Sequence, residues 1–203
     1  MKKTKTYNLI ISGVGGQGQI TLKKILCQAA IKQGLDFKAS ELHGLAQKGG
    51  SVVIHFRTGK KVYSSLIAQG KADLILGLDL LEAARAIKFS SKNTKLVVNN
   101  LFIPFFKQSH FSEGDLLKLV KDKVKKINLV PASKICKEKL GNEIYTGVFL
   151  LGYLAKIKSF PLKKTSLISG IRKVLSKKNL LINLKAFKLG ASLSENGIKR
   201  VKT

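Results

Sequence analysis

Four glycines, Gly13, Gly15, Gly16 and Gly18, follow an apolar run at residues 7–12 and open onto an amphipathic segment. A strand, turn and helix in that order aim main-chain N–H groups and a helix N-terminus at a bound anion, which is the chemistry of phosphate holding. With Gln17 between them, these glycines form the first candidate binding set. The second set is Gln47, Lys48, Gly49, Gly50 and Ser51, preceded by His43 and Gly44. It exposes backbone donors while presenting an imidazole, a carboxamide and an ammonium group. If residues 41–43 are extended, Glu41 and His43 share one side of the chain, and the carboxylate can orient the imidazole. These two are the candidate catalytic residues. For both sets a purely structural reading also stands: a tight turn that packs helix against sheet, and a connection whose histidine contacts a carbonyl.

Gly13, Gly15 and Gly18 also fit G-x-G-x-x-G, and Glu41 lies at about the distance of a ribose-binding carboxylate. A stand-alone dinucleotide-binding oxidoreductase is therefore one alternative. The Lys-Ser/Thr of a nucleotide P-loop is missing after Gly18, which speaks against a nucleoside triphosphatase. Cys27 and Cys136 have neither zinc-site spacing nor the partners of an iron–sulfur ligand set, and three scattered histidines make no metal site. No metal is expected in this chain.

The elements that must position these residues follow from periodicity. Residues 7–12 read as a buried strand. Leu22, Ile25, Leu26 and Ala29 give a helix from Gln17 to Gln33 that Gly34 stops. Asp36–Ser40 is a short extended candidate. Ser51–Arg57 alternates into a strand, Thr58-Gly59-Lys60 turns, and Lys61–Ser65 is expected to return as a hairpin. Strands follow at Ala72–Leu78 and Lys95–Asn99, with a helix between them beginning near Asp79 and carrying Glu82 and Arg85. Ser112 caps a helix whose stripe runs Leu116, Val120, Val124, Ile127, and Asp115 completes an approximate capping box. Leu129-Val130 leads into a helix at Ser133–Leu140. The segment 143–156 is apolar almost all round, which suits either the interior or a docking face. A helix from Pro161 to about Lys177 precedes an extended or helical stretch at 180–193.

Alternating strands and helices imply a three-layer α/β/α domain, a mostly parallel sheet plus an antiparallel hairpin strand at an edge. Residues 1–193 read as a single domain and 194–203 as a flexible tail. With 203 residues and 44% apolar composition, the chain can bury an ordinary core. No export signal and no membrane span is legible, so a cytoplasmic location is expected. The formal charge of +27 raises a third class, a basic nucleic-acid-binding protein. Only four of the 38 basic residues are arginines, and the lysines spread evenly over helix faces, a pattern that disfavours base reading.

Three stretches occur in order: Gly13-Val-Gly-Gly-Gln-Gly18, Ser40-Glu-Leu-His-Gly-Leu-Ala-Gln-Lys-Gly-Gly-Ser-Val52, and Ala72-Asp-Leu-Ile-Leu-Gly-Leu-Asp-Leu-Leu-Glu-Ala-Ala-Arg85. Together they resemble the gamma-type subunit of 2-oxoacid:ferredoxin oxidoreductases, most of all the small (beta) subunit of the indolepyruvate enzymes. The likeness extends over roughly residues 7–190. Lys48 departs from it where arginine is usual, and Leu45 where methionine is common; an ammonium group does not reproduce a guanidinium fork. The resemblance implies a subunit of a cytoplasmic hetero-oligomer that decarboxylates a 2-oxoacid, indolepyruvate or another arylpyruvate, to an acyl-CoA. Thiamine diphosphate and 4Fe-4S clusters would reside in a larger partner subunit, with ferredoxin as electron acceptor and coenzyme A as co-substrate. The two glycine-rich sets would then hold coenzyme A or build the subunit interface.

Overall fold

The computed structural model describes residues 6–44, 49–103, 112–194 and 197–201. Strand β1, Tyr7–Val14, lies inside a seven-stranded sheet. Leu9 and Ile11 enter one apolar core and Ile10 the other, the two-residue period of a strand covered on both faces. The pattern repeats in β4, Leu74–Gly77, and β5, Lys95–Asn99: Leu74, Leu76 and Val97 face the first core, and Ile75, Leu96 and Val98 the second.

Helices cover both faces. On the first lie α1 (Gln19–Lys32), α4 (Ala132–Leu140), α5 (Thr146–Leu154), α6 (Lys164–Val174) and α7 (Lys177–Ser192). On the second lie α2 (Leu80–Arg85) and α3 (Glu113–Lys123). This is the three-layer α/β/α arrangement read from the alternation of elements.

With β2 at Asp36–His43, β3 at Ser51–Gly59, β6 at Lys126–Val130 and β7 at Lys199–Val201, the strand order is β2-β3-β1-β4-β5-β6-β7. Strands β1, β4, β5 and β6 pair in parallel; β3 runs antiparallel to both β1 and β2, and β7 antiparallel to β6. Strands β1, β2, β4, β5 and β6 therefore point one way, and β3 and β7 oppose them.

The antiparallel hairpin exists, but its partner differs from the expected one. β3 pairs with β2 over eight residues on one side and with β1 over eight on the other, so neither edge is open to a returning Lys61–Ser65. That segment is held without strand pairing: Arg57 donates to the carbonyls of Ser64 and Leu66 at 3.0 and 3.2 Å, and the Val62 amide donates to Asp36 Oδ2 at 2.7 Å.

Other boundaries move for local reasons. Helix α3 starts with the expected capping box at Ser112 and Asp115, but Val124 is extended, which sends Ile127 into β6. Residues 180–193 resolve as most of the 16-residue helix α7. Of the stretch expected to be a flexible tail, Lys199–Val201 closes the sheet edge as β7.

The nearly all-apolar segment goes inside. Every residue of α5 is buried, after a 3-10 turn at Glu143–Tyr145 capped by Asn142. Its backbone touches that of α7: a Cβ at Gly152 would stand 2.1 Å from the Phe187 carbonyl oxygen, and one at Gly190 would stand 1.9 Å from that of Phe149. Among the described residues no helix is long and apolar enough to cross a membrane.

Candidate functional site

The first glycine turn leaves the carboxyl end of β1. In open α/β sheets ligands bind outside that end of the strands. Gly16 and Gly18 take φ of 110° and 88°, a left-handed region closed to most side chains, and Gly18 is the N-cap of α1. No side chain caps that helix, so its first-turn amides face outward with the positive end of the helix dipole behind them. Gln17 and Gln19 fold back to close the turn. The Val14 amide donates to Gln17 Oε1 and the Gln19 carboxamide donates to the Val14 carbonyl, both at 2.8 Å. Gly13 makes room for them, because a Cβ there would lie 2.5 Å from each side chain. Gln17 is thus committed to the turn through its oxygen, while its residue still borders the adjoining cleft.

The second turn enters β3 through Gly49, at φ 76°, and Gly50. It is clasped to the first. The Gly15 amide donates to the Gly50 carbonyl at 2.7 Å, and the Gly49 amide donates to the Gly15 carbonyl at 3.2 Å. Register continues the clasp into the sheet, with Val14 opposite Ser51 and Gly13 opposite Val52. Gly13, Gly15, Gly16, Gln17, Gly18, Gly49, Gly50 and Ser51 are therefore brought together; Gln47 and Lys48 lie outside the described residues. The Ser51 hydroxyl points away from the turns and donates to Glu82.

Glu41 and His43 do not form the expected pair. Both sit on β2 at alternate positions, but the Glu41 carboxylate is taken by Lys23 of α1 in an ion pair about a quarter exposed on each side. His43 is exposed, with Nδ1 3.0 Å from the carbonyl of Gly44, its neighbour in sequence. Nor does Glu41 suit a ribose. β3 lies between β2 and β1, which puts Glu41 two strands, about 10 Å, from the glycine turn. A dinucleotide fold needs the acid on the neighbouring strand.

The sequence reading passed over a cleft of about 290 Å³ beside the first turn. Gly16 and Gln17 border it, with Leu78, Asn99, Ser133 and Thr146 behind them, and no lysine or arginine is among its described lining residues. The polar side chains at its back are engaged with one another. Asn99 donates to the Leu78 carbonyl at 3.0 Å and to Ser133 Oγ at 2.7 Å, and its oxygen accepts from the Ser133 amide at 3.0 Å. Ser133 Oγ meets Thr146 Oγ1 at 3.1 Å. One signal was available: Asn99 is a polar residue ending an otherwise apolar strand.

Beneath the turns lie two carboxylates, Asp79 and Glu82, exposed by 0% and 1%. Asp79 caps α2 by accepting the Glu82 amide through Oδ1 at 2.8 Å, while its Oδ2 has no hydrogen-bond partner. Burial pushes this carboxyl up to about 6, the capping bond to the Glu82 amide opposes the rise, and the Glu82 charge adds to it.

Two glycine turns, clasped by their backbones at the carboxyl end of parallel strands, mark the candidate site of this α/β fold. The chain belongs to the pyruvate ferredoxin/flavodoxin oxidoreductase family, which it matches over residues 8–193, and it is a gamma-type subunit of that family. It is 33% identical over 197 residues to the indolepyruvate oxidoreductase subunit IorB of Thermococcus kodakarensis, covering 94% of this chain and 97% of the relative. In structure it resembles pyruvate oxidoreductase subunit PORC of Thermotoga maritima, with a TM-score of 0.73, 18% identity, and coverage of 98% and 99% of the two chains. It also resembles the 2-oxoglutarate:ferredoxin oxidoreductase of Magnetococcus marinus, a structure with 2-oxoglutarate, coenzyme A and succinyl-CoA bound. There the TM-score is 0.73 at 19% identity, over 95% of this chain and 31% of that longer one.

Proposed function

We propose that this chain is the small subunit of an indolepyruvate-type 2-oxoacid:ferredoxin oxidoreductase, a cytoplasmic hetero-oligomer that converts a 2-oxoacid to an acyl-CoA and reduces ferredoxin. The observation that carries the reading is the mutual clasp of Gly15 with Gly49 and Gly50, which fixes the second turn beside the uncapped start of α1. In this reading the amides of Gly16, Gly18 and Gln19, those of the first turn not spent on the Gly50 and Val14 carbonyls, hold a phosphate oxygen of coenzyme A. Lys48, the cation that this reading adds from the sequence, lies outside the described residues.

Thiamine diphosphate and 4Fe-4S clusters are assigned to the larger partner; the two cysteines here do not suit a cluster. Burial pushes the Cys136 thiol up to about 11 and raises that of Cys27 as well, so both stay protonated where cluster ligation needs thiolates. Among the described residues no group of three His, Cys, Asp or Glu side chains could hold a metal ion. The isolated subunit is accordingly expected to turn nothing over.

A second reading, in which the turns build the subunit interface, draws on the rim of the cleft, where Ile103 and Ile144 are 40% and 70% exposed. Hydrogen exchange of the assembled complex with and without coenzyme A separates the two. Protection centred on the amides of Gly16, Gly18 and Gln19 on adding coenzyme A, together with a raised KM for coenzyme A in Gly16→Ala, is the expected result. No protection and normal turnover in Gly16→Ala would leave only the interface.

A further inference from the structure

Glu82 is 1% exposed, at a place in α2 where alanine or leucine would fill the core without burying a charge. Its contacts form a connected path instead. Oε2 accepts from the Ser51 hydroxyl, and Oε1 accepts from the Arg85 guanidinium at 2.6 Å. Its own amide is held by Asp79, so the start of α2 is fixed in direction. α2 in turn sits tight on the end of β4, because a Cβ at Gly77 would fall 2.5 Å from Ala83 Cβ. Ser51 directly follows Gly49 and Gly50, whose backbone clasps Gly15. Across the sheet face α2 meets apolar side chains such as Ile10, Ile75 and Leu116, which supply packing but no directional hold.

We propose that Glu82 is a positioning residue for the paired glycine turns: its carboxylate, aimed by α2 and balanced by Arg85, holds Ser51 so that Gly49 and Gly50 stay clasped to Gly15. A hydrophobic residue would pack as well but would leave the entry to β3 held by backbone bonds alone. The clasp sets the spacing of the first-turn amides, so Glu82 governs coenzyme affinity without touching the coenzyme. That last consequence rests on the coenzyme A reading given above; the clamp itself does not.

The test uses the assembled complex. Hydrogen exchange without coenzyme is followed over residues 49–52, and KM for coenzyme A and kcat are measured separately. In Glu82→Gln and in Ser51→Ala, exchange at the second turn quickens about tenfold. The double variant goes no further than either single, because one connection is cut twice. KM for coenzyme A rises roughly five- to tenfold while kcat holds within about twofold, and Ser51→Thr, which keeps the hydroxyl, restores both. Ser51→Ala alters one partly exposed hydroxyl, so the test stands even if Glu82→Gln fails to assemble. Exchange unchanged in Ser51→Ala, or additive effects in the double variant, overturns the proposal. Faster exchange with an unmoved KM upholds the clamp and removes coenzyme A from these turns.

Discussion

The Gly15 amide reaches the Gly50 carbonyl across 2.7 Å, joining two turns that 35 residues of sequence separate. That bond exists because β3 returns antiparallel beside β1, with Ser51 opposite Val14. The two turns therefore act as one unit, and a fault in either reaches the other.

Gly13 and Gly16 should respond differently to alanine. At Gly13 the new Cβ would strike the two glutamine side chains that close the turn, at 2.5 Å each, and Leu78 Cβ at 3.0 Å. At Gly16 it meets nothing within 4 Å, and only the left-handed backbone resists. Gly13→Ala is expected to destabilise by about 1–3 kcal/mol and Gly16→Ala by about 1–2 kcal/mol. Thermal melts give the ranking; a larger loss for Gly16→Ala would contradict the packing argument.

Lys23 and Glu41 form a partly buried pair that leaves His43 alone. Alanine at His43 should change kcat less than about twofold and leave the pH–rate profile of the assembled complex in place, since the Glu41 carboxylate is held by Lys23 and not by the ring. Alanine at Glu41 should cost up to about 1 kcal/mol of stability and produce no dinucleotide phenotype. Micromolar binding of a nicotinamide or flavin dinucleotide by the isolated chain, lost in Glu41→Ala, would reverse this assignment.

The helix crossing under the sheet offers a stricter test of the core. Gly190 and Gly152 let the α5 and α7 backbones touch, and a Cβ at either meets a carbonyl oxygen of the facing helix near 2 Å. Backbone cannot rotate aside as a side chain can. Gly190→Ala should therefore cost on the order of 3 kcal/mol, roughly 6–12 °C in Tm for a chain of this length. A melt within about 2 °C of the parent would mean that the two helices are more loosely packed.

The glycine positions were legible because left-handed turns leave a residue signature that needs no neighbours: Gly16, Gly18, Gly34 and Gly49 all take positive φ. Strand pairing leaves none. The alternation at 51–57 was equally compatible with a partner before it or after it in sequence, and only the tertiary fold, with β1 and β2 on its two edges, selects the earlier one. Glu41 and His43 do share a strand face, yet their pairing is decided by Lys23, brought across from α1. Asp79 and Glu82 were visible as a helix start but carried no role, because their burial depends on Ser51 and on the turns above them. Local geometry was readable; what each side chain faces was not.

Asp79 should give the folded state an unusual pH dependence. Its carboxyl is raised from 3.8 to about 6, mainly by burial. Below 3.8 both folded and unfolded chains hold the proton and this group contributes nothing to the balance. Between 3.8 and 6 the folded chain keeps a proton that the unfolded chain has lost, so stability falls as pH rises. Above about 6 the carboxylate is ionised in both states, and the full cost of burying it is present, on the order of 3 kcal/mol from the shift. Asp79→Asn keeps an oxygen to cap the Glu82 amide and carries no charge. Its Tm should vary less than the parent's between pH 5 and 7.5, and its advantage should be greatest at the alkaline end. Denaturation curves for both chains across that range provide the check. Parallel pH profiles for parent and variant would show that Asp79 does not hold its proton in this fold.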